Sequence, residues 1–224
     1  MNFDNFSPID KGVKLKSLEE VTTIAGFINW LNNSKNEQST EIIKCPFDKS
    51  YWVMPEMLLA GYYPGSMSNE RAIEKLNALI DSGIRCIINL MEPGEFSTDK
   101  APVVDYSDTL KEVASKQQVD VKFFNFPIAD LSIPGVELMK KILDTIDQNL
   151  NGNSKCPVYI HCRGGIGRTG TVVGCWLQRH GYGQDQQSVL DIIKFLRKEQ
   201  IPSEYLFDSP ESEEQRKFVI NWSE

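Results

Sequence analysis

One short stretch of this chain gathers residue types that can act together on an anion. Val158-Tyr159-Ile160 runs into His161-Cys162-Arg163-Gly164-Gly165-Ile166-Gly167-Arg168-Thr169-Gly170. The leading residues suit a buried strand, and the apolar run after Gly170 suits a buried helix. A strand-to-helix turn leaves backbone N–H groups without partners. Together with the helix N-terminus they form a cradle for an anion. Gly164, Gly165 and Gly167 permit the positive φ angles and close backbone approach that such a cradle needs. The Arg168 guanidinium is a planar fork matched to two phosphate oxygens. Cys162 lies at the base of the cradle, where the surrounding N–H dipoles favour its thiolate, the nucleophilic form. The stretch therefore predicts a sulfur nucleophile beneath the phosphorus of a bound phosphoryl group. The amides of Arg163, Gly164, Gly165, Ile166, Gly167 and Arg168 would hold the phosphoryl oxygens.

His161-Cys162, five residues, then Arg168-Thr169-Gly170 resembles the signature loop of cysteine-dependent protein tyrosine and dual-specificity phosphatases. Two other readings stand beside it. Rhodanese-type sulfur-transfer loops also begin Cys-Arg and bind anions, but they are usually one residue shorter and lack the Thr-Gly. The blander reading is a glycine turn around a structural cysteine. The resemblance implies phosphomonoester hydrolysis in two steps through a cysteinyl-phosphate, on phosphotyrosine and by extension phosphoserine or phosphothreonine. It implies a general-acid aspartate about 30 residues ahead of the cysteine, and Asp130, in Pro127-Ile128-Ala129-Asp130-Leu131-Ser132-Ile133-Pro134, stands there. An aspartate must carry a proton to serve as that acid, and partial burial near the bound phosphate is what would keep it there. Thr169 would hydrogen-bond the sulfur as a leaving group, and His161 would support the loop without taking a proton. In some related phosphatases a glutamine from a C-terminal segment positions the water of the second step. Gln215 would take that role here, against the alternative of an exposed helical glutamine. Arg168 and the loop amides neutralise the phosphate, so no metal or cofactor is expected.

These residues need elements to position them. Tyr51–Met54 and Leu58–Ala60 read as short strands, with Pro55 and Gly61 as punctuation. The segment Leu59-Ala60-Gly61 with Tyr63-Pro64-Gly65-Ser66 also resembles many dual-specificity-like phosphatases. Trp52, Tyr62 and Tyr63 fit packing better than a substrate cleft. Ser68 or Asn69 caps a helix through Ser82, with Gly83 past its end. Ile84–Leu90 reads as a central strand, and Met91–Asp105 as a loop in which Glu92 and Glu95 are candidate partners for Arg168. Ser107–Gln118 suits a helix, Val121–Phe126 a strand and Gly135–Leu150 an amphipathic helix. Thr169–His180 suits a buried helix ended by Gly181. Asp185 caps a helix to about Lys198. Ser209-Pro210-Glu211 reads as the start of the last helix, with Ser209 as cap and Pro210 as first residue. Strands separated by helices predict an α/β fold, a central mostly parallel or mixed sheet flanked by helices and, by resemblance, phosphotyrosine-phosphatase-like.

Near the N-terminus, Ser17-Leu18-Glu19-Glu20 fits a capping box for a helix to about residue 32. Residues 1–40 therefore read as a helical extension and 41–224 as the catalytic domain. With 41% hydrophobic residues, the 224-residue chain can bury a sizeable core. A net charge of −7 argues against broad nucleic-acid or anionic-membrane binding. No run is long and apolar enough for a membrane span, and no secretory signal is visible. Five cysteines without metal spacing and two histidines argue against zinc, and the odd cysteine count favours a reducing compartment. The expectation is a cytoplasmic monomer acting on phosphorylated protein. Phosphoinositides or inositol phosphates are the alternative substrates, and a non-catalytic phosphoprotein adaptor is the alternative of another class. Cys86 and Cys156 are candidate resolving partners should Cys162 be oxidised.

Overall fold

Val158-Tyr159-Ile160-His161 carries no exposed side chain, so this strand must be covered on both faces and both edges. The computed structural model describes residues 44–96, 101–151, 156–182 and 188–224, and it places that strand at the centre of a five-stranded sheet. The strands are β1 (Ser50–Met54), β2 (Leu58–Gly61), β3 (Cys86–Asn89), β4 (Lys122–Asn125) and β5 (Val158–His161). Their order is β1-β2-β5-β3-β4, with β1 antiparallel to β2 and the other pairs parallel. The sheet is thus mixed and the fold α/β, as expected.

The helices are α1 (Asn69–Asp81), α2 (Ser107–Lys116), α3 (Val136–Asn151), α4 (Gly167–Arg179), α5 (Ser188–Gln200) and α6 (Glu213–Ile220). Parallel strands require right-handed crossovers. The β2–α1–β3 and β3–α2–β4 crossovers advance across the sheet, whereas β4–α3–β5 returns. That puts α1 and α2 on one face and α3 on the other. Accordingly α1 packs on α2, while α3, α5 and α6 pack around α4. Every residue of α4 from Gly167 to Leu177 is buried, so its axis is held from all sides. The Gln200 side chain of α5 closes the free edge of β1, accepting from the Trp52 N–H at 2.8 Å and donating to its carbonyl at 2.9 Å.

Most expected elements appear with shifted ends. Ser68 caps α1, and Gly83 beyond it has φ +91°. Trp52 and Tyr63 are core residues, whereas Tyr62 is only partly covered. The helix after the signature loop begins at Gly167, not Thr169, so Arg168 belongs to its first turn. The last helix requires a larger correction. Ser212, not Ser209, is its cap, in a capping box with Gln215. Ser209–Pro210 is a cis peptide outside the helix, and the Ser209 hydroxyl donates to the Ile166 carbonyl instead. The expected helix before residue 32, the Asp185 cap and the turn after Asn151 lie outside the described residues.

Register decides where function can sit. Gly61 pairs with His161, His161 with Asn89, and Asn89 with Asn125. The parallel strands therefore end level, and the segments after β2, β3, β4 and β5 all leave from one edge of the sheet. Ligands of open α/β sheets bind at that carboxyl edge. None of the described helices is long and apolar enough to cross a membrane.

Candidate active site

The turn from β5 to α4 is fixed by ties on its carbonyls. His161 O accepts from Leu90 N–H at 2.9 Å and Arg163 O from Tyr63 N–H at 3.3 Å. Gly165 O accepts from Arg197 Nη1 at 2.9 Å and Ile166 O from Ser209 Oγ at 2.8 Å. A trans peptide holds its C=O and N–H antiparallel. Tying these carbonyls outward turns the next residues' N–H groups inward. The N–H groups of Arg163, Gly164, Gly165 and Ile166 donate to no protein acceptor among the described residues. Nor does a side chain cap α4, and its first turn carries no acidic residue. The result is a ring of unengaged donors at a helix N-terminus, which suits an anion.

Gly165 is the position where glycine is required. Its φ is +66°, and a β-carbon there would lie 2.6 Å from the Tyr62 nitrogen. Cys162 opens the loop and is only 3% exposed.

Arg168, 1% exposed, has both terminal nitrogens of its guanidinium engaged, whereas its buried Nε has no hydrogen-bond partner among the described residues. Nη2 donates to Glu95 Oε2 at 3.0 Å and pairs with Asp130 Oδ1 at 2.9 Å. Nη1 donates to the other Glu95 oxygen and, at 2.9 Å, to the Ile128 carbonyl. Burial opposes this charge most strongly, but Glu95, then the Cys162 sulfur and Asp130, more than offset it, and the Arg168 pKa is raised. Of the two candidate partners, Glu95 therefore meets the arginine. Glu92 is exposed, and its backbone N–H holds Glu95 Oε1 at 2.8 Å. The turn at Pro93-Gly94, with Gly94 at φ +78°, folds one carboxylate back and leaves the other outside.

Asp130 lies on the segment after β4 with its side chain 41% exposed, and Arg163 Nη2 reaches its Oδ2 at 2.8 Å. His161 is fully buried between Cys162 and Tyr106. Its Nδ1 faces the Cys162 carbonyl at 3.2 Å, and its Nε2 faces the Tyr106 hydroxyl at 2.5 Å. A carbonyl only accepts, so Nδ1 carries the proton and Nε2 accepts from Tyr106. Burial holds the imidazole pKa at about 3, so His161 is neutral near pH 7.

Two expected contacts differ. The Thr169 hydroxyl is buried with no hydrogen-bond partner, so its bond to the sulfur is not formed here. Gln215 is not an exposed helical glutamine but fully buried, and both ends of its amide are engaged, with Ser212 and Ser132. Nor can Cys86 or Cys156 serve as a resolving cysteine. Cys86 aligns with Val158, four residues before Cys162, and Cys156 precedes that point. At about 3.3 Å per strand residue the gap is about 13 Å, beyond the roughly 7 Å limit for a disulfide. Among the described residues, no cluster of three or more His, Cys, Asp and Glu is placed to hold a metal.

Sequence reasoning missed Arg197 and Tyr106, and it read Ser209 only as a helix cap. Only Arg197 left a clear signal. It falls on the apolar stripe Val189, Ile193, Arg197, where a charge is out of place unless it has buried work.

Comparison with known proteins agrees with this geometry. A family model described as "Polymorphic toxin system, DSP-PTPase phosphatase" matches residues 63–182, which is 120 of the 224 residues. The mouse protein tyrosine phosphatase domain-containing protein 1 is 30% identical over 130 residues, covering 57% of this chain but only 16% of that protein. A Dictyostelium discoideum phosphatidylinositol 3,4,5-trisphosphate 3-phosphatase is 28% identical over 84 residues, 38% of this chain and 12% of that one. The chain thus spans a small part of either relative. Kinase associated phosphatase, in a crystal structure with serine for its catalytic-site cysteine, shares the fold. Its TM-score is 0.52 at 20% identity, over 72% of this chain and 83% of that one.

Proposed function

Because the chain belongs to the DSP-PTPase phosphatase family of polymorphic toxin systems, within the cysteine-dependent tyrosine and dual-specificity phosphatase superfamily, we propose that it hydrolyses phosphomonoesters on proteins through a cysteinyl-phosphate. The observation that carries this reading is the ring of unengaged loop N–H groups closed by Cys162 and by Arg168, which Glu95 frames. In the first step the Cys162 thiolate attacks phosphorus in line, and Asp130 gives a proton to the departing oxygen. Arg168 and the amides from Arg163 to Arg168 hold the equatorial oxygens. Water then attacks the phosphocysteine, with Asp130 ionised and accepting its proton. The otherwise unpartnered Thr169 hydroxyl is available to the sulfur as it leaves. His161, neutral and donating to the Cys162 carbonyl, fixes the start of the loop and moves no proton. An arriving phosphate takes the Arg168 contact that Asp130 holds, which frees that carboxyl group to take a proton from solvent and face the leaving group as an acid.

The catalytic unit in this reading is residues 41–224, acting as a monomer on phosphoprotein in the cytoplasm, with residues 1–40 an extension. The relative named for a phosphatidylinositol substrate gives the phosphoinositide reading its support. Turnover measured across phosphotyrosine, phosphoserine and phosphothreonine peptides and phosphoinositides separates the two, with Cys162→Ser as control. The proposal expects phosphopeptide turnover that Cys162→Ser abolishes while phosphate binding persists. Full activity in that variant would end the mechanism, and turnover of phosphoinositides alone would reassign the substrate.

A further inference from the structure

Gln215 occupies an unusual crossing. It is the third residue of α6 and is completely buried. Its backbone N–H donates to Ser212 Oγ at 3.2 Å, and its Oε1 accepts from the Ser212 N–H at 3.1 Å. That reciprocal pair is the capping box of α6. A capping box needs only the oxygen of the amide. The other end, Nε2, donates to the Ser132 carbonyl at 3.0 Å. Ser132 is two residues beyond Asp130. The Ser212 hydroxyl in turn donates to the Leu131 carbonyl at 3.3 Å. One helix cap thus grips two consecutive carbonyls of the segment that bears the proposed acid.

That segment needs an outside hold. Leu131 has φ +62°, a left-handed conformation that costs a residue with a β-carbon about 1–2 kcal/mol. Its side chain is 53% exposed, so packing offsets only part of that cost. The other ties of the segment run from Asp130 to Arg163 and Arg168, from the Ile128 carbonyl to Arg168, from the Ile128 N–H to the Leu90 carbonyl at 3.0 Å, and within the turn from the Ser132 N–H to the Ala129 carbonyl at 3.1 Å. The contact of Asp130 with Arg168 is the one a phosphate displaces. The Gln215 amide also lies against the signature loop. A β-carbon on Gly167 would come within 2.9 Å of Oε1 and 3.1 Å of Nε2.

We propose that Gln215 is a positioning residue for Asp130, its amide NH2 and the Ser212 hydroxyl clasping the acid-bearing segment to the end of α6. This rests on the reading of Asp130 as general acid. It gives the glutamine a part in the first step, whereas a water-orienting glutamine would act in the second.

Gln215→Glu separates the functions of this side chain. An ionised glutamate at this position still accepts from the Ser212 N–H but has no proton to donate to the Ser132 carbonyl, so the comparison is made at a pH where the variant's carboxyl is ionised. The variant is compared with wild type, Asp130→Asn and the double variant on phenyl phosphate, whose leaving group needs a proton, and on dinitrophenyl phosphate, whose leaving group does not. Loss of the clasp lowers kcat/KM for phenyl phosphate by about tenfold or more, a share of what a positioned acid contributes, and changes the dinitrophenyl ester less than about twofold. The double variant is then no slower than Asp130→Asn alone. Equal loss on both esters, or accumulation of phosphoenzyme in the Gln215→Glu protein, overturns the proposal. An Asp130→Asn protein without leaving-group selectivity removes the acid assignment itself, which is a separate result. If the buried carboxylate unfolds the protein, Ser212→Gly tests the other half of the clasp. Glycine remains an acceptable cap, costing only a few tenths of a kcal/mol. The same selectivity supports the proposal, and equal loss on both esters overturns it.

Discussion

At the scale of single residues, the site keeps a proton off His161. Burial holds its pKa at about 3, against 6.5 for a free imidazole. The unfolded chain therefore binds a proton near pH 6.5 that the folded chain refuses until about pH 3. Stability is full above pH 6.5 and is lost as pH falls across that window, by on the order of 5 kcal/mol. Unfolding free energies measured across the window should fall more steeply for wild type than for His161→Gln. Parallel curves would mean that the imidazole is not held neutral. Gly165 represents the opposite kind of dependence, on backbone space. The sequence pointed to it because a glycine pair inside Cys-x5-Arg has little other use, although which glycine would have φ above zero was not legible.

At the scale of elements, the β3–α2 segment deserves most of the explanation. A sequence with two glutamates three apart offers Arg168 two equivalent partners. The Pro93-Gly94 turn between them chooses Glu95, and only three-dimensional backbone geometry expresses that choice. Glu95→Gln leaves the 1%-exposed guanidinium with a weaker counter-charge. Breaking a buried pair on one side costs about 3–5 kcal/mol. The variant should melt at lower temperature than wild type, and vanadate should raise its melting temperature by more, since an oxyanion restores the missing charge. An unchanged melting temperature would show that Glu95 contributes nothing to holding Arg168. Helix α6 shows how a local reading goes astray. Ser209-Pro210-Glu211 and Ser212-Glu213-Glu214-Gln215 are both good starts within a few residues. Local propensity cannot rank them. Ser209 is drawn away by the Ile166 carbonyl, and Gln215 by the Ser132 carbonyl, and both are contacts with distant parts of the chain.

At the scale of the whole molecule, the level ends of β2, β5, β3 and β4 bring together residues from four separate stretches. Strand and helix periodicity made the α/β class and most elements readable in advance, because those patterns are local. The sheet order was not readable, and with it went the ties from Arg197, Ser209 and Tyr106. An acidic chain of net charge −7 concentrates hydrogen-bond donors in one place by this means. The central claim is that this assembly passes a phosphoryl group through the Cys162 sulfur. It is tested most directly by acid-quenching the protein within milliseconds of mixing with a phosphotyrosine peptide and locating the bound phosphate by mass spectrometry. The account predicts phosphate on the peptide containing Cys162, increased in Asp130→Asn if its second step slows more than its first, and absent in Cys162→Ala. Turnover with no phosphate on that cysteine at any quench time, or equal labelling in Cys162→Ala, would contradict it.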